Sequence, residues 1–600
     1  MFYQMKTGKK NIRKLALVLL LGKLIALNGF SAEPADSIIQ SALRDELIRN
    51  FNNLHAEGFD KPFFIAYTLA DAKITYSNAT LGALINSGER VFKDWNVRVM
   101  VGNYDINDEN FSGTQSDETA YLGSIDMPID ADYDGIRRSL WLTTNRVYNS
   151  ATRIYKEKKA LIEHKQLKDS DLEIPDFSHS DTIKYKKPSP VLKYSQEDLE
   201  NITRELSAIF RTYPEVFNSG VNCNVFESTV FFINSEGTEV QFPFNITSLT
   251  ISAGVMTDDS DKIRRQIGYT VNNPEDLPNI DKIREDIFLL LDDLHKLKAV
   301  DRFEDEYVGP VLIVGNAVAL NLSRALFNGS NNLIAFRESL QSSRQMNMYY
   351  EESSNNLENR IGKPVLSKKL TITAEPRLKD YQGMPLLGSY SIDAEGVEAP
   401  EKLILVQNGE LVTLLNGRTP TRNVPESNGH MRFSYGFGGL TKQVGPGVIR
   451  VSSSETHSQE ELKKMLLEKA KDEGLDYAII IRSTEVSASL KPYEVYKVST
   501  ETGEEELLRS VKLHSPTLKS LKRVMGVSDR ELVYNGLLSS FNGNGQGGIP
   551  ASFIVPDALL LEDFEMESYR RPLTSDLPIV ENPVGKDDTG KNTLKNTTTD

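Results

Sequence analysis

Residues 307–329, YVGPVLIVGNAVALNLSRALFNG, restrict the fold more than any other stretch of the chain. Val311, Leu312, Ile313 and Val314 form a short continuous apolar run after Gly309-Pro310, the pattern of a central strand. Gly315 permits a tight turn, and Asn316 is suited to cap a segment beginning at Ala317. On that segment Val318, Leu322, Ala325 and Leu326 share one face at three- and four-residue spacings, while Ser323, Arg324 and Asn328 lie off it. The expectation is a buried strand that turns into an amphipathic helix docked on a sheet.

A chain of 600 residues is too long for one ordinary domain. Before Val300, helical and hairpin patterns alternate. Ile38, Ile39, Leu43, Leu47, Ile48 and Phe51 recur at helical spacing. The stretches that follow alternate polar and apolar residues, with Val91, Trp95, Val97, Val99 and Val101 turned inward. Residues 107–132 and 170–190 read as loops. A long helix follows Asp134, and a second helix opens with the capping box Ser195 and Asp198. Asn234-Ser235-Glu236-Gly237 marks a hairpin.

After Val300 the signals are mainly strands, with a long irregular insertion over residues 329–363. Asn408-Gly409 forms a hairpin turn, and Ser458 with Glu461 caps a further helix. This pattern gives an α+β fold in two parts. An N-terminal α/β domain spans residues 33–299, and a β-rich C-terminal domain spans 300–583. The Thr- and Asn-rich residues 584–600 read as a disordered tail.

Lys6, Lys9, Lys10, Arg13 and Lys14 precede an apolar run that ends in a small residue at Ala32, so residues 1–32 read as a secretory signal. The protein is expected to be exported, periplasmic or secreted. A retained anchor is the alternative, although Lys23 interrupts the run and no stable membrane span is expected once the signal is removed. The net charge of -15 argues against nucleic-acid binding, which needs a basic footprint. The one cysteine, Cys223, precludes an intrachain disulfide and reads as a small core residue. None of the seven histidines forms a pair at metal-ligand spacing. Asp292 and His295 share a helical face but lack a second His or Cys, so a solvated face is the simpler reading.

Several longer blocks point in one direction. They are PFFIAYTLAD, SLWLTTNRVY, SFIVPDALLLEDFEM and, above all, GSYSIDAEGVEAPEKLILVQNGELVTLLNGRTPTRNVPESNGHMR. In order and over nearly the whole chain, these resemble the TldD/PmbA family, which is metallopeptidase-related and also known as modulators of DNA gyrase. The resemblance implies a two-domain fold assembled as dimers around an internal cavity. It also implies zinc held by HExxxH on the helix after Gly315 and by a Cys from the C-terminal half, in a complex that cleaves peptides.

On that alignment Ser323, Arg324 and Asn328 occupy the His, Glu and His places, and no Cys follows Cys223. Ser and Asn are poor zinc ligands, and Arg carries a fixed positive charge. No catalytic residue and no cofactor is therefore expected in this chain, zinc belonging only to an active homologue. The expected role is a metal-site-degenerate, non-catalytic subunit, a homo- or heterodimer partner of a TldD-like chain acting on peptides. An autonomous peptidase with another site and a peptide-binding scaffold are the alternatives.

His430 with Arg418, Arg422 and Arg432 is the candidate peptide-binding loop, since these groups can hold a backbone or carboxylate. A locally hydrogen-bonded loop His is the plainer reading. Ser323 beside Arg324 lacks an identifiable base for nucleophilic chemistry. Asp393 and Glu395 fit either a carboxylate pair or, with Gly396, a turn that orders the domain.

Overall fold

A computed structural model describes residues 34–112, 126–165, 172–257, 261–328, 332–341, 357–436, 439–485, 491–514, 516–538, 547–569 and 582–584. The expected signal, nearly all of the expected tail, and parts of the 107–132 loop and the 329–363 insertion lie outside these residues. Among the described residues, no helix is long and apolar enough to cross a membrane.

In the first half, β1 (Pro62–Thr80) and β2 (Ala83–Val101) form one long antiparallel hairpin. On its other side β1 pairs with β3 (Val216–Asn234), from Ala66↔Asn234 to Ala79↔Val221. At one end β3 pairs with β4 (Glu239–Pro243), and at the other with β5 (Ile246–Met256), which in turn pairs with β6 (Lys262–Val271). The 170–190 segment is not wholly loop: Lys184–Lys186 adds a short parallel strand against β4, because Ile183 and Lys187 share main-chain hydrogen bonds with it.

Strand periodicity of two gives this sheet two distinct faces. On one face Tyr67, Leu69, Trp95, Val97, Val99 and Val101 pack under α1 (Ala35–Asn53) and α2 (Tyr133–Lys165). Val221, Cys223, Val225, Leu249 and Ile251 pack under α3 (Gln196–Ala208) and α4 (Ile280–Lys298). Each such side chain contributes about 1.5–3 kcal/mol on burial. Val91 is the exception to its expected group: it is 44% exposed and lies between the part of β2 covered by α2 and the part near Ser87 that α3 reaches.

The second half contains two sheets with a helix between them. β7 (Glu306–Val314) runs parallel to β13 (Tyr477–Glu485) and antiparallel to β16 (Ala558–Ser568), the central position its apolar run predicts. The second sheet orders β9 (Leu403–Gln407), β8 (Leu370–Ala374), β12 (Val448–Ser453), β15 (Gly547–Pro556), β10 (Met431–Gly436) and β11 (Gly439–Val444), with β14 (Glu531–Leu538) also on β15. α5 (Asn316–Phe327) lies in the apolar core these sheets share, and α6 (Gln459–Asp472) covers the outer face of β7. Both capping boxes, Ser195–Asp198 and Ser458–Glu461, are formed.

Two details of the strand-turn-helix differ from the sequence reading. Gly315, not Asn316, is the N-cap; its φ of 68° lies in the left-handed region and its N–H donates to the Asp557 carbonyl at 2.7 Å. α5 is also buried nearly all round rather than along one stripe, because it is enclosed by the strands of both sheets. Ser323, off the apolar stripe, is only 5% exposed.

Candidate functional site

α5 places Ser323 and Arg324 one turn beyond Leu320 and two turns beyond Asn316. The Ser323 hydroxyl donates to the Leu320 carbonyl at 2.9 Å, the back-bond a helical Ser makes when it has no other task. Arg324 is half-buried, and burial lowers its guanidinium from the ordinary value. Asn328 is already past the helix as its C-cap, its N–H donating to the Arg324 carbonyl at 3.0 Å. A hydroxyl turned back on its own helix, a cation and a carboxamide do not fit zinc, which takes imidazole, thiolate and carboxylate. Among the described residues there is no group of three or more His, Cys, Asp and Glu that could hold a metal ion.

A cavity of about 1740 Å³ reaches this helix at Asn316 and Leu320. Its floor is the second face of the first sheet. Where the C-terminal half packs on that face, the residues are apolar: Ala70 and Val230 meet Ala394 and Phe433, and Ala66 and Phe232 meet Ile392. Further along the same strands, at the same parity, the floor becomes Tyr76, Asn78, Asn222, Asn224, Ser248 and Thr250. α4 supplies Asp286, Leu289 and Asp293 to the wall, and Tyr435, Tyr534 and Asn535 come from the second half.

Asp293, at that wall, is hydrogen-bonded carboxyl to carboxyl with Glu494. Burial, then the bond to Asp293 and its charge, push Glu494 up to about 7, against the charges of Arg265 and Arg482.

The candidate loop residues lie elsewhere. His430 is fully buried, its Nδ1 within 2.8 Å of the Asn428 carbonyl oxygen and 3.0 Å of Asn428 Oδ1. Burial pushes its pKa down to about 4, which keeps the ring neutral. Arg432 lies 3.6 Å from the Tyr390 ring centre and donates from Nη2 to the carbonyls of Pro550 at 3.3 Å and Gly388 at 3.4 Å. Arg418, with no exposure, forms a two-pronged pair with Glu236 at 2.6 and 2.7 Å and donates to the Ser178 carbonyl at 2.6 and 3.0 Å. Only Arg422 is exposed, and it pairs with Glu173 at 3.3 Å. None of the four lines the large cavity.

Asp393 orders a turn, accepting from the N–H groups of Glu395, Val397 and Met431 at 2.8, 2.9 and 3.1 Å. Burial and the neighbouring Glu395 nonetheless push it up to about 7. Burial also raises Glu395, but the Arg98 charge at 2.6 Å and the Arg418 N–H at 2.7 Å outweigh it, so Glu395 sits below the usual range. Asp292 pairs with Lys296, and His295 is largely exposed. Cys223 is buried, and burial pushes its thiol up to about 12.

The sequence reading passed over the polar floor of the cavity. Its signal was present: Asn222 and Asn224 alternate with Val221, Cys223 and Val225, so an apolar-in pattern leaves two carboxamides in register on the opposite face.

The matches to family descriptions define the class, a metallopeptidase-related protein. Two family descriptions match: the PmbA/TldA metallopeptidase central domain over residues 189–294 and the PmbA/TldA metallopeptidase C-terminal domain over residues 335–565. The chain belongs to the TldD/PmbA family.

A Thermotoga maritima structure described as a candidate modulator of a DNA gyrase superposes with TM-score 0.53 and 15% identity, covering 87% of this chain and 99% of that one. TldE from Thermococcus kodakarensis superposes at 0.51 with 12% identity, covering 88% and 100%. A candidate DNA gyrase modulator from Bacteroides thetaiotaomicron gives 0.51 with 11% identity, covering 89% and 98%. These likenesses establish the fold. A metalloprotease from Methanothermobacter thermautotrophicus is 40% identical over 81 residues, a stretch that spans 13% of this chain and 16% of that relative.

Proposed function

We propose that this chain is an exported, non-catalytic subunit of a peptide-cleaving complex. It would hold peptide in the large cavity while a TldD-like partner bearing HExxxH supplies the zinc. One observation carries the reading: the cavity still reaches the helix of the family's metal motif, yet Ser323, Arg324 and Asn328 on and after that helix offer no zinc ligand. The chain's own work in such a complex is to bind and orient. The polar floor accepts main-chain groups, and Tyr435 and Tyr534 exclude water from apolar side chains.

The purified mature chain should contain no stoichiometric zinc and should not cleave unstructured peptides alone. Mixing with an HExxxH-bearing homologue from the same cell should give chelator-sensitive cleavage. Stoichiometric zinc with cleavage by the chain alone would overturn the proposal.

A second reading rests on Asp293, which lines the cavity, and the Glu494 carboxyl hydrogen-bonded to it, since a hydrogen-bonded pair of acids is the arrangement of acid proteases. It requires cleavage by the chain alone that resists chelators and disappears in Glu494→Gln.

A further inference from the structure

The sheet of the first half ends in a basic edge. Lys184–Lys186 is its outermost strand, paired only with β4, where Lys184 is opposite Glu239 and Lys186 opposite Gln241. Alternation sorts the side chains of this strand. Ile183 and Tyr185 pack against the apolar cluster that contains Phe64 and Phe177, so Lys184 and Lys186 stand on the opposite face. That is the face on which α1 begins. Asp36 accepts from Gln241 Nε2 at 2.6 Å, and Arg44 grips both Glu239 oxygens at 2.5 and 3.1 Å. With Glu239 so engaged, Lys184 stands off at 3.8 Å and its side chain is 73% exposed. Lys186 and Lys187 are exposed and have no side-chain partner among the described residues. Pro188, Ser189 and Pro190 follow, also exposed, and lead to Val191, which at 90% is the most exposed large apolar residue among those described.

We infer that Lys184, Lys186 and Lys187, with Val191 beyond them, seat this chain on an anionic phospholipid surface. Solvated cations beside an exposed apolar side chain suit a surface that is anionic outside and apolar beneath: the lysines pair with lipid phosphates and Val191 enters the acyl boundary. The course of the chain gives an independent reason. The apolar run expected to act as an export signal ends at Ala32, two residues before Pro34, and two residues span at most about 7 Å. While that run is in a membrane, the start of α1 and the lysines flanking it face the lipid headgroups. The net charge of -15 repels the rest of the molecule from an anionic surface, so contact confined to this edge also fixes the orientation of the chain. The inference does not depend on the peptide-holding role.

The test uses the mature chain, because the apolar run would bind any bilayer. It is sedimented at low salt with vesicles of phosphatidylcholine alone or of phosphatidylcholine and phosphatidylglycerol in equal parts. The mature chain should bind the mixed vesicles and not the neutral ones. Each lysine at an anionic surface contributes about fivefold to partitioning. Lys184→Gln, Lys186→Gln and Lys187→Gln together should therefore weaken binding by about a hundredfold. Val191→Ser, which removes only the apolar contact, should weaken it by about fivefold. Lys464→Gln with Lys471→Gln, exposed on α6, should leave binding unchanged.

No binding to the mixed vesicles, equal binding to both kinds, or an equal loss from the α6 pair would overturn the proposal. Capture of the mature chain by immobilised poly-glutamate without any binding to vesicles would assign the edge to an acidic protein partner and also overturn it. None of these outcomes bears on peptide binding or cleavage, so the proposed function stands or falls separately.

Discussion

Replacing Arg418 should weaken the junction between the two halves by several kcal/mol. Its guanidinium makes four hydrogen bonds, two to Glu236 and two to the Ser178 carbonyl, while stacking 4.0 Å from the Phe177 ring centre. Every partner comes from the first half of the chain. Removing one member of a buried ion pair costs about 3–5 kcal/mol, because the other charge is left without compensation. Glu236 would retain Tyr104 Oη at 2.7 Å and Asn234 Nδ2 at 2.9 Å as donors, which places Arg418→Met near the lower end, at about 3 kcal/mol. Arg418→Ala adds a void beside Phe64 and Phe177 and should cost about 4–5 kcal/mol.

Urea unfolding followed by circular dichroism and by the fluorescence of Trp95 and Trp141 reads the change. In a double-mutant cycle, adding Glu236→Gln to Arg418→Met should recover about 2 kcal/mol, since no carboxylate is then left alone. A loss below about 1 kcal/mol for Arg418→Met, or strict additivity in the cycle, would refute the assignment of this pair as a stabilising polar tie between the halves.

Two further outcomes follow from local geometry and from titration. Gly409 has φ +80° in the Asn408-Gly409 turn, and an added Cβ would come within 2.6 Å of the Leu366 carbonyl oxygen. Gly409→Ala should therefore cost about 2 kcal/mol or more, whereas Asn408→Gly should be nearly neutral; equal effects in thermal unfolding would refute this. Glu494 is raised from 4.5 to about 7, so the folded chain holds its proton more tightly than the unfolded chain. The resulting stability is fully present below 4.5 and is lost as the pH rises through about 7. Glu494→Gln keeps a donor toward Asp293 and should flatten the decline in urea midpoint across that window. Asp108 and Asp393, also raised to about 7, leave part of the slope in place, and an unchanged slope would refute the role of Glu494.

The elements that local chemistry controls were legible in the chain. Apolar periodicity located the hairpins and helices, serines with a downstream acid marked two capping boxes, and Asn408-Gly409 announced its turn with positive φ at both residues. The resemblance to the TldD/PmbA family was also legible, because it rests on residue order. The absence of zinc ligands at 323, 324 and 328 needed no coordinates, since no folding turns Ser, Arg or Asn into His or Glu.

What the arginine loop does was decided by the tertiary structure. A cluster of Arg418, Arg432 and His430 in a Gly- and Ser-rich stretch reads as open and ligand-binding. In the fold it is clasped by Glu236, Ser178 and Tyr390, partners 182, 240 and about 40 positions away that no local pattern discloses. The same holds for the cavity. Alternation shows that Asn222 and Asn224 share a face, but only the packing of the second half determines where that face is covered and where it stays open. Burial and long-range pairing depend on which segments meet, and the sequence by itself leaves those meetings unwritten.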